Sequence, residues 1–295
     1  MPNRSLDDTL KEFCDYLLVR HSENTVYAYE SDLTKFASFL SGRFSVDSWQ
    51  DVKPRHIDLY ITSLSGMQHS TLSRKVASIS SLYRYLIRQG EVLENPSRDV
   101  EPIKISRRAP DFLEKEEIKV VRAVSEKKSL LMLVIVELLI STGMRVSELC
   151  NANKGDFDTK KLSMVVIGKG DKQRIVYMSK RAAVAIKKYL KTREDNSPAL
   201  LFLNGKRMTR FQVYRFVRMI GKRYLGRNLH PHLFRHTLAT HASLGGMPLQ
   251  ELQSLLGHAT INTTMIYTHP SKEIQAHHAK VIESMEVGKR EEGEQ

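Results

Sequence analysis

The side chains with chemical potential in the second half of the chain are scattered but of one kind: cations, imidazoles and one phenol. Arg145 follows Thr142-Gly143-Met144 at the expected start of a helix. A guanidinium there adds fixed charge to unpaired N–H groups, which suits a phosphate, although most arginines so placed are structural. Glu148, one turn on, is spaced to orient that guanidinium. Lys169 stands between Gly168 and Gly170 at the tip of an expected hairpin. Glycines permit close approach, so this lysine either reaches into a groove or is a solvated turn residue. His232, Arg235 and His236 open a helix after Pro231, with His232 and Arg235 on one face. The i, i+4 histidine pair invites a zinc reading. No glutamate stands where a zinc-protease motif needs one, and Arg235 in the same turn opposes a metal. Leu255-Leu256-Gly257-His258 ends a helix, and Tyr267 follows nine residues later; a single tyrosine on an amphipathic helix is ordinarily core or boundary.

The elements that must position these residues fall into two regions that divide near residue 105. The first reads as four helices: one after a Ser5-Leu6-Asp7-Asp8 cap, one over 25–40 stopped by Gly42, one from Pro54 through Leu64, and one over 70–89 capped by Gly90. They make a small bundle over 1–103. The stretch 103–110 is polar, basic and ends at Pro110, as an extended segment would, and the linker is placed at 104–111. The second region, 112–286, is mostly helical. Its period changes to two at 162–167 and 174–178, an antiparallel hairpin with a glycine-rich tip, and 200–203 is a candidate third strand. A last helix covers 271–286, before a charged tail at 287–295. The fold class is therefore mainly α with a small antiparallel sheet.

Composition limits the function classes. The chain has 295 residues, 41% hydrophobic and 27% charged, a folded balance sufficient for two cores. Two cysteines, Cys14 and Cys150, cannot form a disulfide framework, so a reducing, cytoplasmic setting is expected. No secretory signal is visible, and the apolar run 130–140, interrupted by Glu137, is too short for a membrane span. The net charge is +13, and it is one-sided: 20 basic against 3 acidic residues over 160–235, with 1–105 at net −1. Such a field calls for a polyanion, of which nucleic acid is the commonest. The first region keeps one basic pole. Arg74, Lys75, Arg84 and Arg88 occur in a stretch without carboxylates and beside small hydroxyls, as phosphate contacts or as ordinary solvated helix positions.

The order and local context of the chemical residues resemble the tyrosine recombinases, and within them the Xer-type recombinases that resolve chromosome dimers. The matching segments are Thr142-Gly143-Met144-Arg145-Val146-Ser147-Glu148-Leu149, Gly168-Lys169-Gly170-Asp171-Lys172-Gln173-Arg174, His232-Leu233-Phe234-Arg235-His236-Thr237-Leu238-Ala239-Thr240-His241, Leu255-Leu256-Gly257-His258 and Thr264-Met265-Ile266-Tyr267-Thr268-His269. Each is moderately specific; all in order are very specific. One departure is Phe234, where the family usually has leucine; its spacing turns it to the core.

The resemblance implies an N-terminal SAM-like DNA-binding bundle and a catalytic domain. Tyr267 would be the nucleophile that forms a 3′-phosphotyrosine. Arg145, Arg235 and His258 would hold the phosphate oxygens, Lys169 would protonate the leaving 5′-oxygen, and His232 would assist at the tyrosine. Glu148 and His236 would support them. Lys172 and Arg174 join the first-region cations as candidate DNA contacts. Neither metal nor ATP is implied; a phosphate-binding Gly-x-x-x-x-Gly-Lys-Ser/Thr loop is also missing from the sequence. The implied partners are double-stranded DNA with inverted half-sites and further copies, four protomers on two sites joined through the 271–286 helix. A second recombinase or a septal DNA translocase would be a further partner, and no membrane is involved. Rival readings are a phage or transposon integrase, a type IB topoisomerase, and a DNA-binding protein that does no chemistry. Many integrases place an arm-binding domain before the bundle, whereas this sequence starts at it.

Overall fold

The computed structural model describes residues 5–101, 103, 111–158, 160–168, 173–256 and 280–285. The chain separates into two units, Met1–Arg108 and Ala109–Gln295.

In the first unit α1 (Leu6–Leu18) begins where Ser5 Oγ accepts the Asp8 N–H at 3.1 Å. α2 (Glu23–Phe44), α3 (Pro54–Ser63) and α4 (His69–Gln89) follow, with a short 3₁₀ turn at Trp49–Asp51. Pro54 occupies the first turn of α3. Gly90 ends α4 with φ 72°, a backbone conformation that glycine adopts without strain. Gly42 does not stop α2. The helix continues to Phe44, and Ser45 takes the left-handed cap at φ 52°. Phe44 packs on Phe39 and His56, with ring centroids 5.7 and 4.7 Å apart, and these contacts outweigh the ~1 kcal/mol penalty of a helical glycine. The core gathers Phe13, Leu33, Phe36, Ile57, Leu82 and Tyr83. Trp49 Nε1 donates to Leu6 O at 3.2 Å, and Tyr83 OH donates to Trp49 O at 2.8 Å, so both polar tips are satisfied inside.

The second unit runs α5 (Lys115–Lys128), α6 (Leu130–Thr142), α7 (Val146–Asn151), β1 (Phe157–Asp158), β2 (Ser163–Ile167), β3 (Gln173–Tyr177), α8 (Lys180–Lys191), β4 (Phe202–Leu203), β5 (Lys206–Arg207), α9 (Arg210–Ile220), α10 (Pro231–Leu244) and α11 (Leu249–Leu256). One π-helical turn, Gly221–Leu225, extends α9. α6 is buried almost throughout. Its one charge, Glu137, lies against Arg122 at 3.1 Å and Arg181 at 2.8 Å, which explains a carboxylate inside an apolar run. β1, β2 and β3 form an antiparallel sheet in that order, with Val165 opposite Ile175.

The candidate strand at 200–203 does not join this sheet. Phe202–Leu203 pairs with Lys206–Arg207 in a separate ribbon, and Phe157–Asp158 supplies the third strand. The Asn204-Gly205 turn, with φ of 50° and 76°, folds the segment back on itself, while Leu200 and Leu201 sink into the core. Val281, Ile282 and Met285, on a helical segment at 280–285, are buried in the same core. Among the described residues no helix is long and apolar enough to cross a membrane.

Candidate active site

α6 ends at Gly143, and the site is built on that turn. Gly143 has φ 58°, and a Cβ there would meet Leu238 Cδ2 at 2.9 Å and Leu256 Cδ2 at 3.2 Å. Glycine takes this left-handed conformation without strain and leaves room for the leucines of α10 and α11 against the turn. Arg235, on α10 and 4% exposed, threads into this junction. Its Nη1 donates to Gly143 O at 2.9 Å and its Nη2 donates to Leu256 O, so the ends of α6 and α11 fix the guanidinium. Burial, then the charges of Arg145 and Arg174, push its pKa down to about 10, with Glu148 opposing. It remains a cation at neutral pH.

Arg145 is the N-cap of α7. Glu148 holds it twice: the Arg145 N–H donates to Oε2 at 2.7 Å and Nη1 donates to Oε1 at 2.9 Å. Arg174, from β3, completes the group with a two-pronged contact on Glu148, Nη1 to Oε1 at 2.6 Å and Nη2 to Oε2 at 3.0 Å. Glu148 is 3% exposed. Burial alone would raise its pKa, but hydrogen bonds and charge from Arg174, then from Arg145, hold it below the ordinary value. Among the described residues, three guanidinia thus gather at one carboxylate, two of them bonded to it and the third, Arg235, held beside them by backbone carbonyls.

His232 projects from the first turn of α10. Its ring meets His236 edge-to-face, with centroids 4.6 Å apart. Burial, then the neighbouring His236 and Arg235, lower its pKa from the ordinary imidazole value. His230 Nδ1 accepts the Leu233 N–H at 3.1 Å and so starts this helix. The sequence signal for this cap is a polar residue directly before a proline at the first helical position. Phe234 is fully buried, as its spacing indicates.

The structure therefore brings together Arg145, Glu148, Arg174, Arg235, His232 and His236. Lys169, Lys172, His258 and Tyr267 lie outside the described residues, as does most of the 271–286 helix. Two expected DNA contacts need correction. Arg174 is committed to Glu148 rather than to the surface. Lys75 is 3% exposed, and its Nζ pairs with buried Asp32 Oδ1 at 2.8 Å. Arg74 also pairs with Asp32 but keeps part of its side chain in solvent. Arg84 and Arg88 are exposed, and Arg88 Nη1 donates to Tyr16 OH at 2.8 Å.

Comparison with known proteins gives consistent results. The model of the phage integrase family matches residues 111–273, and that of the phage integrase N-terminal SAM-like domain matches 10–90. A tyrosine recombinase XerC of Thermodesulfovibrio yellowstonii is 37% identical over 265 residues, 84% of this chain and 86% of the relative. A tyrosine recombinase XerC of Listeria innocua is 36% identical over 280 residues, 89% of this chain and 93% of the relative. Among solved structures, a lambda integrase (75-356) dimer bound to a COC′ core site superposes with a TM-score of 0.71 at 17% identity, covering 90% of this chain and all of that one. At that identity the likeness speaks for the fold.

Proposed function

The chain belongs to the phage integrase family as a tyrosine site-specific recombinase, and from that premise we propose that it converts chromosome dimers to monomers in the manner of the Xer-type enzymes. The substrate is double-stranded DNA with inverted half-sites. Four protomers on two sites exchange strands, with 1–103 and 112–286 as the DNA-binding and catalytic domains, 104–111 as the linker, and 271–286 joining neighbours. A second recombinase or a septal DNA translocase fits the same reading as a further partner.

The observation that carries the chemistry is the gathering of three guanidinia, Arg145, Arg174 and Arg235, at the single carboxylate Glu148 among the described residues. A phosphodiester carries one negative charge, and its five-coordinate transition state carries two. Fixed positive charge in excess of the local carboxylate therefore favours the transition state over the ground state. In the reading proposed, Arg145 and Arg235 hold the non-bridging oxygens, and His258 adds a donor. Tyr267 attacks phosphorus as its phenolic proton passes to His232. The bond from phosphorus to the 5′-oxygen breaks, and Lys169 protonates that oxygen. The products are a 3′-phosphotyrosine and a free 5′-hydroxyl; attack by the 5′-hydroxyl of another strand reverses the step. Bond energy stays in the ester, so no ATP is consumed. Glu148 and Arg174 position Arg145, and His236 supports His232. Arg74, Arg84, Arg88 and Lys172 supply phosphate contacts.

Covalent capture on nicked suicide DNA tests this reading. The wild-type chain should trap a 3′-linked adduct, and Tyr267→Phe should bind the DNA without trapping it. An adduct that persists in Tyr267→Phe would move the nucleophile elsewhere. Relaxation of supercoiled DNA lacking a preferred site would favour the topoisomerase alternative.

A further inference from the structure

The outward face of α9 has no part in the chemistry above, yet its composition is unusual. Val213 and Val217 turn inward. Arg210, Phe211, Tyr214, Arg215, Arg218 and Lys222 turn outward, and Phe211 leaves 75% of its side chain in water. The sequence has no carboxylate between Asp195 and Glu251, so this basic face is not neutralised from its own stretch of chain. An exposed benzyl group set among arginines fits a partner that offers both phosphates and apolar groups.

The position of α9 connects it to the Arg145 site. Arg207, three residues before the helix, donates from Nη1 to Cys150 O at 3.0 Å and to Ala152 O at 2.9 Å. Its Nη2 donates to Asn153 Oδ1 at 2.6 Å. These are the residues at the C-terminal end of α7, whose N-cap is Arg145. α7 has six residues and is about 9 Å long, so the start of α9 stands a few base-pair steps from a phosphate held at Arg145. The first turn of α9 is closed by its own side chains. The Thr209 N–H donates to Gln212 Oε1 at 2.8 Å, and the Gln212 N–H donates to Thr209 Oγ1 at 3.4 Å. What the first turn presents outward is therefore its side chains, foremost Phe211. Helices that read DNA do so with such first-turn residues in the major groove, where the thymine 5-methyl is the apolar group on offer.

We propose that Phe211, exposed on the first turn of α9, reads the 5-methyl group of a thymine in the major groove. The inference rests on the reading that this unit cleaves duplex DNA. It adds a residue that determines sequence preference by apolar contact.

The test uses the full-length chain with duplexes that the wild-type protein selects from a randomised pool. Each thymine is then replaced singly by uracil, which removes only the methyl group. At one position uracil should weaken wild-type binding about fourfold, the effect of exposing one buried methyl. Phe211→Ala should bind the thymine and uracil duplexes equally at that position, and Phe211→Leu should retain part of the difference. The salt dependence of binding should match in all three proteins, because no charge changes. Phe211 is exposed, so the variants should melt with the wild type. Uracil without effect at every position, or an effect that survives in Phe211→Ala, would overturn the proposal. Covalent capture at saturating protein separates the two readings: an adduct at Tyr267 with silent uracil sinks only the role of Phe211, whereas no adduct sinks the catalytic reading beneath it.

Discussion

Each unit of the molecule contains a buried carboxylate shared by basic residues, and the two clusters do opposite things. In the first unit Asp32 takes Arg74 and Lys75. Lys75 is fully withdrawn, its Nζ 5.9 Å from the centre of the Tyr60 ring, and the cluster ties α2 to α4. In the second unit Glu148 takes Arg145 and Arg174, and a further guanidinium, Arg235, is held next to them by backbone carbonyls. Carbonyls satisfy hydrogen bonds without cancelling charge. The first cluster thus ties two helices together, and the second is the one to which the proposed mechanism assigns the phosphate.

The largest effect should come from the cation that carbonyls hold. Arg235→Ala should slow cleavage by about 10²- to 10³-fold, the usual loss for one donor aimed at developing charge. Binding of DNA, measured by gel shift, should change far less. A loss of binding as large as the loss of rate would make Arg235 a grip on the ground state and erase the contrast between the clusters.

Removing the carboxylates should sharpen it. Glu148→Gln leaves Arg145, Arg174 and Arg235 in mutual repulsion and should lower stability by about 3 kcal/mol in urea unfolding. The sign with pH follows from its lowered folded pKa. Its contribution is fully present above the ordinary value of 4.5 and is lost as pH falls through the folded value. Unfolding curves of Glu148→Gln should therefore vary less with pH below 4.5 than those of the wild type. Asp32→Asn should cost about as much, ~3 kcal/mol, because Arg74 can turn to solvent but Lys75 is left buried without its carboxylate. It should leave the cleavage rate of the folded protein unchanged, and a fall in that rate would show that the first cluster also serves the chemistry.

The smallest expected effect concerns salt. Arg84→Ala should reduce the log–log slope of DNA affinity against salt by about 0.9, whereas Lys75→Met should leave it unchanged. Equal slopes for both variants would remove the distinction between exposed and withdrawn cations in the first unit.

This distinction shows where the sequence was readable. The helices were legible because their apolar spacing and caps are local: Ser5 with Asp8, Pro54, Gly90, and the Gly143 turn that sets Arg145 at a helix start. Arg145 and Glu148 could be paired by eye because one turn separates them. The partners of Lys75 and Arg174 could not, since Asp32 and Glu148 lie 43 and 26 residues away and only packing brings them close. The same limit explains Gly42, where aromatic contacts to Phe44 override a local stop signal. The candidate strand at 200–203 exists only as Phe202–Leu203 and in a ribbon of its own, because the Asn204-Gly205 turn, a local signal, folds it onto Lys206–Arg207.

In the proposed mechanism the guanidinia around Glu148 serve the charge on the phosphate. Once covalent capture has mapped the scissile phosphate, a methylphosphonate at that position tests it, because the substitution removes one negative oxygen and keeps the rest of the DNA. Arg235→Ala should be strongly defective on ordinary DNA and recover most of its cleavage on the methylphosphonate. An equal defect on both substrates would contradict the claim and leave Arg235 as a support for the α6–α11 junction alone.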